Sequence, residues 1–133
     1  MHDERHGILV AVSPPSREKL RALLDGCDAD YYDSYADALS ALSGRNYAAV
    51  IVGLHFGESR MFDFLRDARR VQPGARLVCV QGTAGQLNDK ALDCARTAAE
   101  QLGAEVVIDL SRLSERDCRA LSALLLLRLP ATA

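Results

Sequence analysis

A short glycine-rich run that contains one threonine is a candidate for ligand-binding chemistry. It reads Gln81-Gly82-Thr83-Ala84-Gly85, between an apolar run and a helical pattern. Backbone N–H groups at such a junction can bind an anion. The run lacks the Gly-Lys-Ser/Thr of a phosphate-binding loop and the spacing of a dinucleotide-binding loop. We therefore expect a plain connection, with a small polar ligand beside Ser13 and Ser111 as the alternative.

The side chains that most often act in catalysis are scattered along the sequence. His55 lies in the stretch Leu54-His55-Phe56 without an acidic neighbour in sequence to orient its ring, so we interpret it as a surface or packing residue. No serine stands in a GxSxG turn. Because no nucleophile, base and acid are grouped, we expect that the protein is not an enzyme.

Cysteine spacing argues against a metal or redox site. The four cysteines, Cys27, Cys79, Cys94 and Cys118, include no pair at two- or three-residue spacing. Free cysteine behaves as a small apolar residue, so the pattern predicts buried thiols rather than a disulfide framework. No metal ion and no cofactor are expected.

Bulk properties indicate one ordinary cytoplasmic domain. The length of 133 residues suits a single core, which we place at residues 1–129, with residues 130–133 as a tail or the start of a linker. A net charge of −2 with scattered basic residues argues against direct nucleic-acid binding. The polar N-terminus argues against a signal peptide, and the shortness of the apolar stretches, such as Ala123 to Leu127, argues against a membrane span.

Apolar runs alternate with helical patterns along the whole chain. Continuous aliphatic runs are typical of strands buried on both faces of a parallel sheet. The predicted strands are Ile8 to Val12, Asp28 to Asp33, Ala48 to Val52, Leu77 to Val80 and Val106 to Ile108.

Helices are predicted after each strand. The first follows Ser13 and two prolines, the second follows Ser34, and the third has Met61, Phe64 and Leu65 on its apolar face. The fourth covers residues 88–102 and the fifth residues 114–129, whereas residues 53–59 are predicted to be a loop.

Strands that alternate with helices predict a five-stranded parallel, doubly wound sheet of order 2-1-3-4-5 with helices on both faces. Ligands of such sheets bind at the carboxyl ends of the strands. Here those ends are Ser13, Gly53, Gln81 to Thr83 and Asp109 to Ser111.

Several strings, in order, resemble the receiver domain of two-component response regulators. Gly7 to Val12 is similar to the family's first strand, and Tyr35-Ala36-Asp37-Ala38-Leu39 resembles its A-x-x-A-L element. Tyr47 to Leu54 resembles the third strand, and Gly103-Ala104-Glu105 resembles the G-A-D before the fifth. The resemblance covers nearly the whole chain and implies a flavodoxin-like signalling domain.

The chemistry implied by the resemblance fails at the positions that would carry it. The family uses two acids to hold Mg²⁺, an Asp as phosphoacceptor, a Thr or Ser, and a Lys, because the cations offset phosphate charge. The acid pair falls on Val12 and Ser13, and the phosphoacceptor falls on Gly53. The remaining positions fall on Gln81, or Thr83 after a shift of two, and on Asp109 or Leu110.

A leucine-rich final helix suggests where the domain acts. Its consecutive leucines must spread around the helix, and exposed apolar patches tend to mark interfaces. The candidate interface residues are Leu121, Leu124, Leu125, Leu126 and Leu127.

These features together predict a degenerate receiver, or pseudo-receiver. It would not be phosphorylated and would act through contacts with a protein partner, or with a second copy as a homodimer, made by the last two helices. The alternative is a small-molecule-binding flavodoxin-like domain that uses the strand-end cleft. Buried side chains at Val12, Gln81 and Leu110 would favour the first hypothesis.

Overall fold

The parallel sheet is built from four short, mainly aliphatic segments and one half-polar segment around Tyr31 and Tyr32. The computed structural model of the chain describes residues 7–82, 89–110 and 119. A strand is present at each predicted place, and each strand begins and ends within two residues of the predicted bounds. They are β1 Gly7–Ala11, β2 Ala29–Tyr32, β3 Tyr47–Gly53, β4 Arg76–Gln81 and β5 Ala104–Asp109.

Helices connect these strands. They are α1 Pro14–Leu23, α2 Tyr35–Gly44, α3 Phe56–Ser59, α4 Met61–Val71 and α5 Asp89–Gln101. Residues 53–59 are therefore not a simple loop as predicted, because β3 extends through Gly53 and residues 56–59 form one short helical turn. The predicted final helix, residues 114–129, lies outside the described residues.

The strand order confirms the predicted topology. The five strands follow the order β2-β1-β3-β4-β5 and all neighbours are parallel. Parallel pairing requires a crossover between successive strands, and the helices supply it. Because the strands run the same way, the carboxyl ends of β1, β3, β4 and β5 lie along one edge of the sheet.

Two apolar clusters cover the two faces of the sheet. Ile8, Val10 and Val12 of the first strand segment pack in one cluster with Leu20 and Leu24 from the α1 region. The alternate residues Leu9 and Ala11 pack in the other cluster, with side chains from α2, α4 and α5. This alternation is the period of two that a strand imposes on its side chains.

Two serines begin helices in different ways. Ser34 Oγ accepts a hydrogen bond from the Asp37 N–H at 3.4 Å, as the capping pattern predicts. Ser13 occupies the corresponding position before α1, but its side chain makes no capping bond. Its carbonyl instead accepts from the N–H groups of Ser16 and Arg17, each at 3.1 Å. Prolines at the first two helical positions leave fewer donors there to satisfy.

A buried amide connects three elements at the amino edge of the sheet. Gln72 is 5% exposed and follows α4 directly. Its Oε1 accepts from the Tyr47 N–H at 2.8 Å. Its Nε2 donates to the carbonyl of Leu42 at 2.7 Å and to that of Arg45 at 2.5 Å. Gln72 thus supplies partners to backbone groups at the end of α2 and the start of β3.

The thiols are only partly as predicted. Cys79 is fully buried in β4, and burial raises the pKa of its thiol to about 12, so its reactive thiolate is scarce at neutral pH. Cys94 is exposed, contrary to the prediction, and Cys27 is half-buried. Cys94 lies two residues after the buried Leu92, which turns it by about 200° to the opposite side of α5. Cys118 lies outside the described residues.

No helix in the described part of the chain combines the length and apolar character that crossing a membrane requires.

Candidate functional site at the carboxyl edge of the sheet

The structure brings together most of the positions that the sequence marked as a degenerate phosphorylation pocket. Val12 follows β1, Gly53 ends β3, and Gln81 and Asp109 end β4 and β5. The backbone ladders continue past the strand ends, since the Leu54 N–H donates to the carbonyl of Val80 and the Leu110 N–H to that of Gln81, both at 2.8 Å. These positions therefore form one continuous edge.

Gly53 is closed in by Val12. A Cβ added at residue 53 would lie 3.2 Å from Val12 Cγ1 and 3.3 Å from Val12 Cα and Cβ. These distances are shorter than ordinary van der Waals contact, so Val12 would have to move for any side chain to fit. Position 53 lacks a carboxylate, and its neighbour is packed for a residue without a side chain.

The positions at the ends of β4 and β5 carry no positive charge. Gln81 and Asp109 are paired in register and are 2% and 4% exposed. The resemblance places a lysine at Asp109 or Leu110, and neither residue is a cation. Gln81 Oε1 is buried and has no hydrogen-bond partner among the described residues. A phosphoryl group at this edge would therefore find no cation at these positions to offset its charge.

The first helix closes over the end of β4. A Cβ added at Gly82 would overlap Ser16 Oγ and would lie 2.9 Å from Ser16 Cβ. Gly82 is therefore a glycine because α1 approaches the chain closely there, which is a known reason for glycine beside a packed helix. The sequence did not predict this contact. The glycine-rich run at residues 81–85 suggested only a connection or an anion site.

Gly82→Ala is expected to lower the free energy of unfolding by about 1 kcal/mol, because the added methyl group overpacks this contact. In a Ser16→Ala background the loss should be smaller, since the overlapping hydroxyl is gone. Urea unfolding of the four proteins in the cycle measures the coupling. If the two substitutions change the free energy of unfolding in a strictly additive way, the contact between Gly82 and Ser16 is not the reason that residue 82 is a glycine.

A small recess remains at this edge. It has a volume of about 200 Å³ and is lined by Ser13, Pro15, Ser16, Gly53, Leu54, His55 and Gly82. Ligand pockets are larger, at about 300–1,000 Å³. The N-terminus of α1 beside it is poorly suited to an anion, because Pro14 and Pro15 have no N–H and the next two N–H groups bond to Ser13.

An aromatic cluster fixes the segment that follows Gly53. The rings of Phe56 and Phe64 pack edge to face at 5.3 Å, and Tyr35 packs on both. The Tyr35 hydroxyl donates to Asp67 at 2.7 Å, and the Arg60 guanidinium lies 4.1 Å from the ring centroid. Burial and the Asp67 carboxylate raise the pKa of Tyr35 to about 12, so the hydroxyl stays protonated as a donor. The loop beside position 53 is thus held by packing.

The remaining sequence predictions divide between the described and the undescribed parts of the chain. Val12 and Leu110 are each 1% exposed, and Ser13 and the exposed His55 line the recess. No group of three metal-ligating side chains occurs among the described residues. Thr83, Ser111 and the leucines of the predicted interface lie outside that part: Leu121, Leu124, Leu125, Leu126 and Leu127.

Solved structures resemble this arrangement of strands and helices closely. A putative response regulator from Chloroflexus aurantiacus superposes with a TM-score of 0.71 at 14% identity, covering 92% of this chain and 98% of that one. A two-component response regulator from Clostridium difficile gives 0.70 at 15% identity, with 96% and 100% covered.

A third similar structure is of a phosphorylated protein. A response regulator from Burkholderia pseudomallei, with a phosphorylated aspartic acid, a calcium ion and citrate, gives a TM-score of 0.62 at 17% identity, with 96% and 77% covered. No protein-family model matches the sequence, and no curated protein matches it. At these identities the likeness establishes the fold: the chain has the CheY-like receiver fold of response regulators.

Proposed function

We propose that this chain is a receiver-type regulatory domain that is not phosphorylated at the usual position and acts through protein contacts. The carrying observation is Gly53, which ends β3 where a phosphoacceptor would stand and lies against Val12. An acyl phosphate needs a carboxylate, and glycine has none. The receiver fold supports the signalling role, since the similar structures are response regulators.

The charges at the same edge support the loss of phosphorylation independently. Mg²⁺ prefers oxygen ligands and is usually bound through one or two carboxylates. At the acid-pair positions stand Val12, which is 1% exposed, and Ser13. Asp109 and Leu110, the two candidates for the lysine position, supply no cation to offset the phosphoryl charge. Restoring one residue would therefore not restore the chemistry.

Burial of the pocket residues supports regulation by contact over the small-molecule alternative. Val12, Gln81 and Leu110 are 1%, 2% and 1% exposed, so side chains fill the cleft that a ligand would need. The last two helices remain the proposed contact surface. The first of them, α5, presents Lys90, Asp93, Thr97 and Gln101 to solvent, which suits a polar, reversible contact better than a permanent one.

Phosphorylation is tested directly by incubating the protein with acetyl phosphate and Mg²⁺ and measuring its intact mass. We expect no stoichiometric adduct, and no change of the Gly53 amide resonance on adding BeF₃⁻ with Mg²⁺. A receiver with an intact acidic pocket in the same tube controls for the reagent. Any stoichiometric phosphoryl adduct at this edge of the sheet would refute the proposed loss of phosphorylation.

Self-association through the final helix is tested by light scattering of the protein and a Leu126→Glu variant. A dimer that the charge converts to a monomer supports the homodimer, because a buried glutamate is costly at an apolar interface. Two monomers, or two dimers, would contradict it. A matched substitution on α5, Thr97→Glu, reports whether that helix contributes.

A further inference from the structure

A basic groove lies at the edge of the sheet opposite Gly53. It has a volume of about 480 Å³ and lies between the C-terminal ends of α4 and α5. Its lining consists of Arg66, Arg69, Arg70, Gln101 and Leu102, so every charged residue in it is an arginine. The groove is more than twice the volume of the recess beside Gly53 and falls within the range of ligand sites, about 300–1,000 Å³.

The three arginines differ in whether a carboxylate pairs with the guanidinium. Arg66 pairs with Asp63 at 2.9 Å and Arg70 with Asp67 at 3.2 Å, each one turn away on α4. Such exposed pairs contribute little, so both guanidiniums can exchange partners easily. Arg69 has no ion pair among the described residues. The groove therefore carries a net positive charge, centred on Arg69.

The Arg69 side chain passes beside a glycine. Gly103 connects α5 to β5 with a φ of +106°, and a Cβ there would overlap Arg69 Nη1 and lie 3.1 Å from Arg69 Cδ. The side chain thus lies close to the helix–strand turn, while the residue is exposed and its guanidinium can meet an anion. A planar guanidinium loses less side-chain freedom per hydrogen bond than a lysine amine does.

The lining favours a small molecule that has both a phosphate and a flat apolar part. Guanidiniums bind phosphate oxygens through two parallel hydrogen bonds and stack on planar rings. Leu102 offers a half-buried apolar wall, and the Gln101 amide can both donate to and accept from a base edge.

We infer that the groove formed by Arg66, Arg69, Arg70, Gln101 and Leu102 binds a nucleoside phosphate. The site is independent of phosphorylation at position 53, so either proposal can fail without the other. Because the groove lies between α4 and α5, an occupant would contact α5, one of the two helices proposed to meet a partner.

Titration calorimetry of the full chain with ADP, pyrophosphate and adenosine tests this inference. ADP should bind more tightly than either fragment. Arg69→Gln should weaken ADP binding by about tenfold or more, the effect of losing a charge-assisted hydrogen bond. Lys90→Gln, which removes an exposed charge from the other end of α5, should change the affinity less than about twofold, as expected for a distant screened charge.

Several results would overturn the inference. These are no ADP binding by the unaltered protein, an unchanged affinity in Arg69→Gln, or equal weakening by Lys90→Gln. Equal affinity for pyrophosphate and ADP would refute the nucleoside part. If a glutamate-rich peptide bound in an Arg69-dependent way and ADP did not, the groove would be a protein contact instead. Should Arg69→Gln lose its native circular dichroism, Arg66→Gln, whose side chain is 66% exposed, replaces it.

Discussion

Replacing Gln72 by leucine is expected to lower the free energy of unfolding by about 3 kcal/mol, because three backbone groups lose their partner and each buried unsatisfied group costs about 1–3 kcal/mol. The groups are the Tyr47 N–H and the carbonyls of Leu42 and Arg45. Leucine preserves most of the volume, so the loss measures hydrogen bonding rather than a cavity. Urea unfolding gives the value.

Two further variants make the Gln72 result interpretable. Gln101→Leu is the same substitution at an exposed position of α5 and should change stability by less than about 0.5 kcal/mol. Gln72→Glu keeps the shape, but its carboxylate has no proton to donate to the two carbonyls. Burial favours the protonated acid, whose folded-state pKa is raised, so this variant should gain stability relative to the wild type as the pH falls. A loss below about 1 kcal/mol for Gln72→Leu would contradict the argument.

Gln72 also illustrates what the sequence could not predict. Its partners lie 25 to 30 residues away, at the ends of two other elements. Periodicity identifies which residues face the core, but it gives no information on which backbone groups a buried amide will meet. The contacts of Arg45 with Asp28 and Asp30 are of the same kind. Such contacts follow from tertiary packing and leave no local pattern.

The elements themselves were predictable because each has a local cause. Continuous aliphatic runs predicted four of the strands, a half-polar segment predicted β2, and their alternation with helices predicted the order that the structure confirms. The short turn α3 was missed because four residues are too few to show a helical period. The exposure of Cys94 could have been predicted, since it lies off the face that contains Leu92 and Ala99.

At the candidate site, the sequence predicted the absence of a carboxylate but not the packing that accompanies it. The place of Gly53 at a strand end followed from the strand pattern. That Val12 occupies the space beside it, and that α1 closes against Gly82, depends on distances between segments far apart in sequence. The sequence did not predict the arginine groove either, because the residues that line it come from α4 and from the end of α5.

Gly53→Asp is expected to lower the free energy of unfolding by about 2 kcal/mol, since overpacking costs about 1–3 kcal/mol. The new Cβ would lie 3.2 to 3.3 Å from three atoms of Val12, and Val12 is itself buried. Gly53→Ala provides the comparison, because it adds the Cβ without the carboxylate. The difference between the two variants in urea unfolding isolates the cost of placing a charge at this edge.

The same variant decides whether one missing carboxylate explains the proposed loss of phosphorylation. We expect Gly53→Asp to remain unmodified by acetyl phosphate with Mg²⁺, because Val12 and Ser13 offer the metal no carboxylate and neither Asp109 nor Leu110 supplies a cation for the phosphoryl group. Intact mass gives the result. If Gly53→Asp were phosphorylated stoichiometrically, the rest of the edge would be competent and only position 53 would have lost its function. If it stays unmodified, the residues at the ends of β1 and β5 also lack what phosphorylation requires, and this result supports a role through protein contacts.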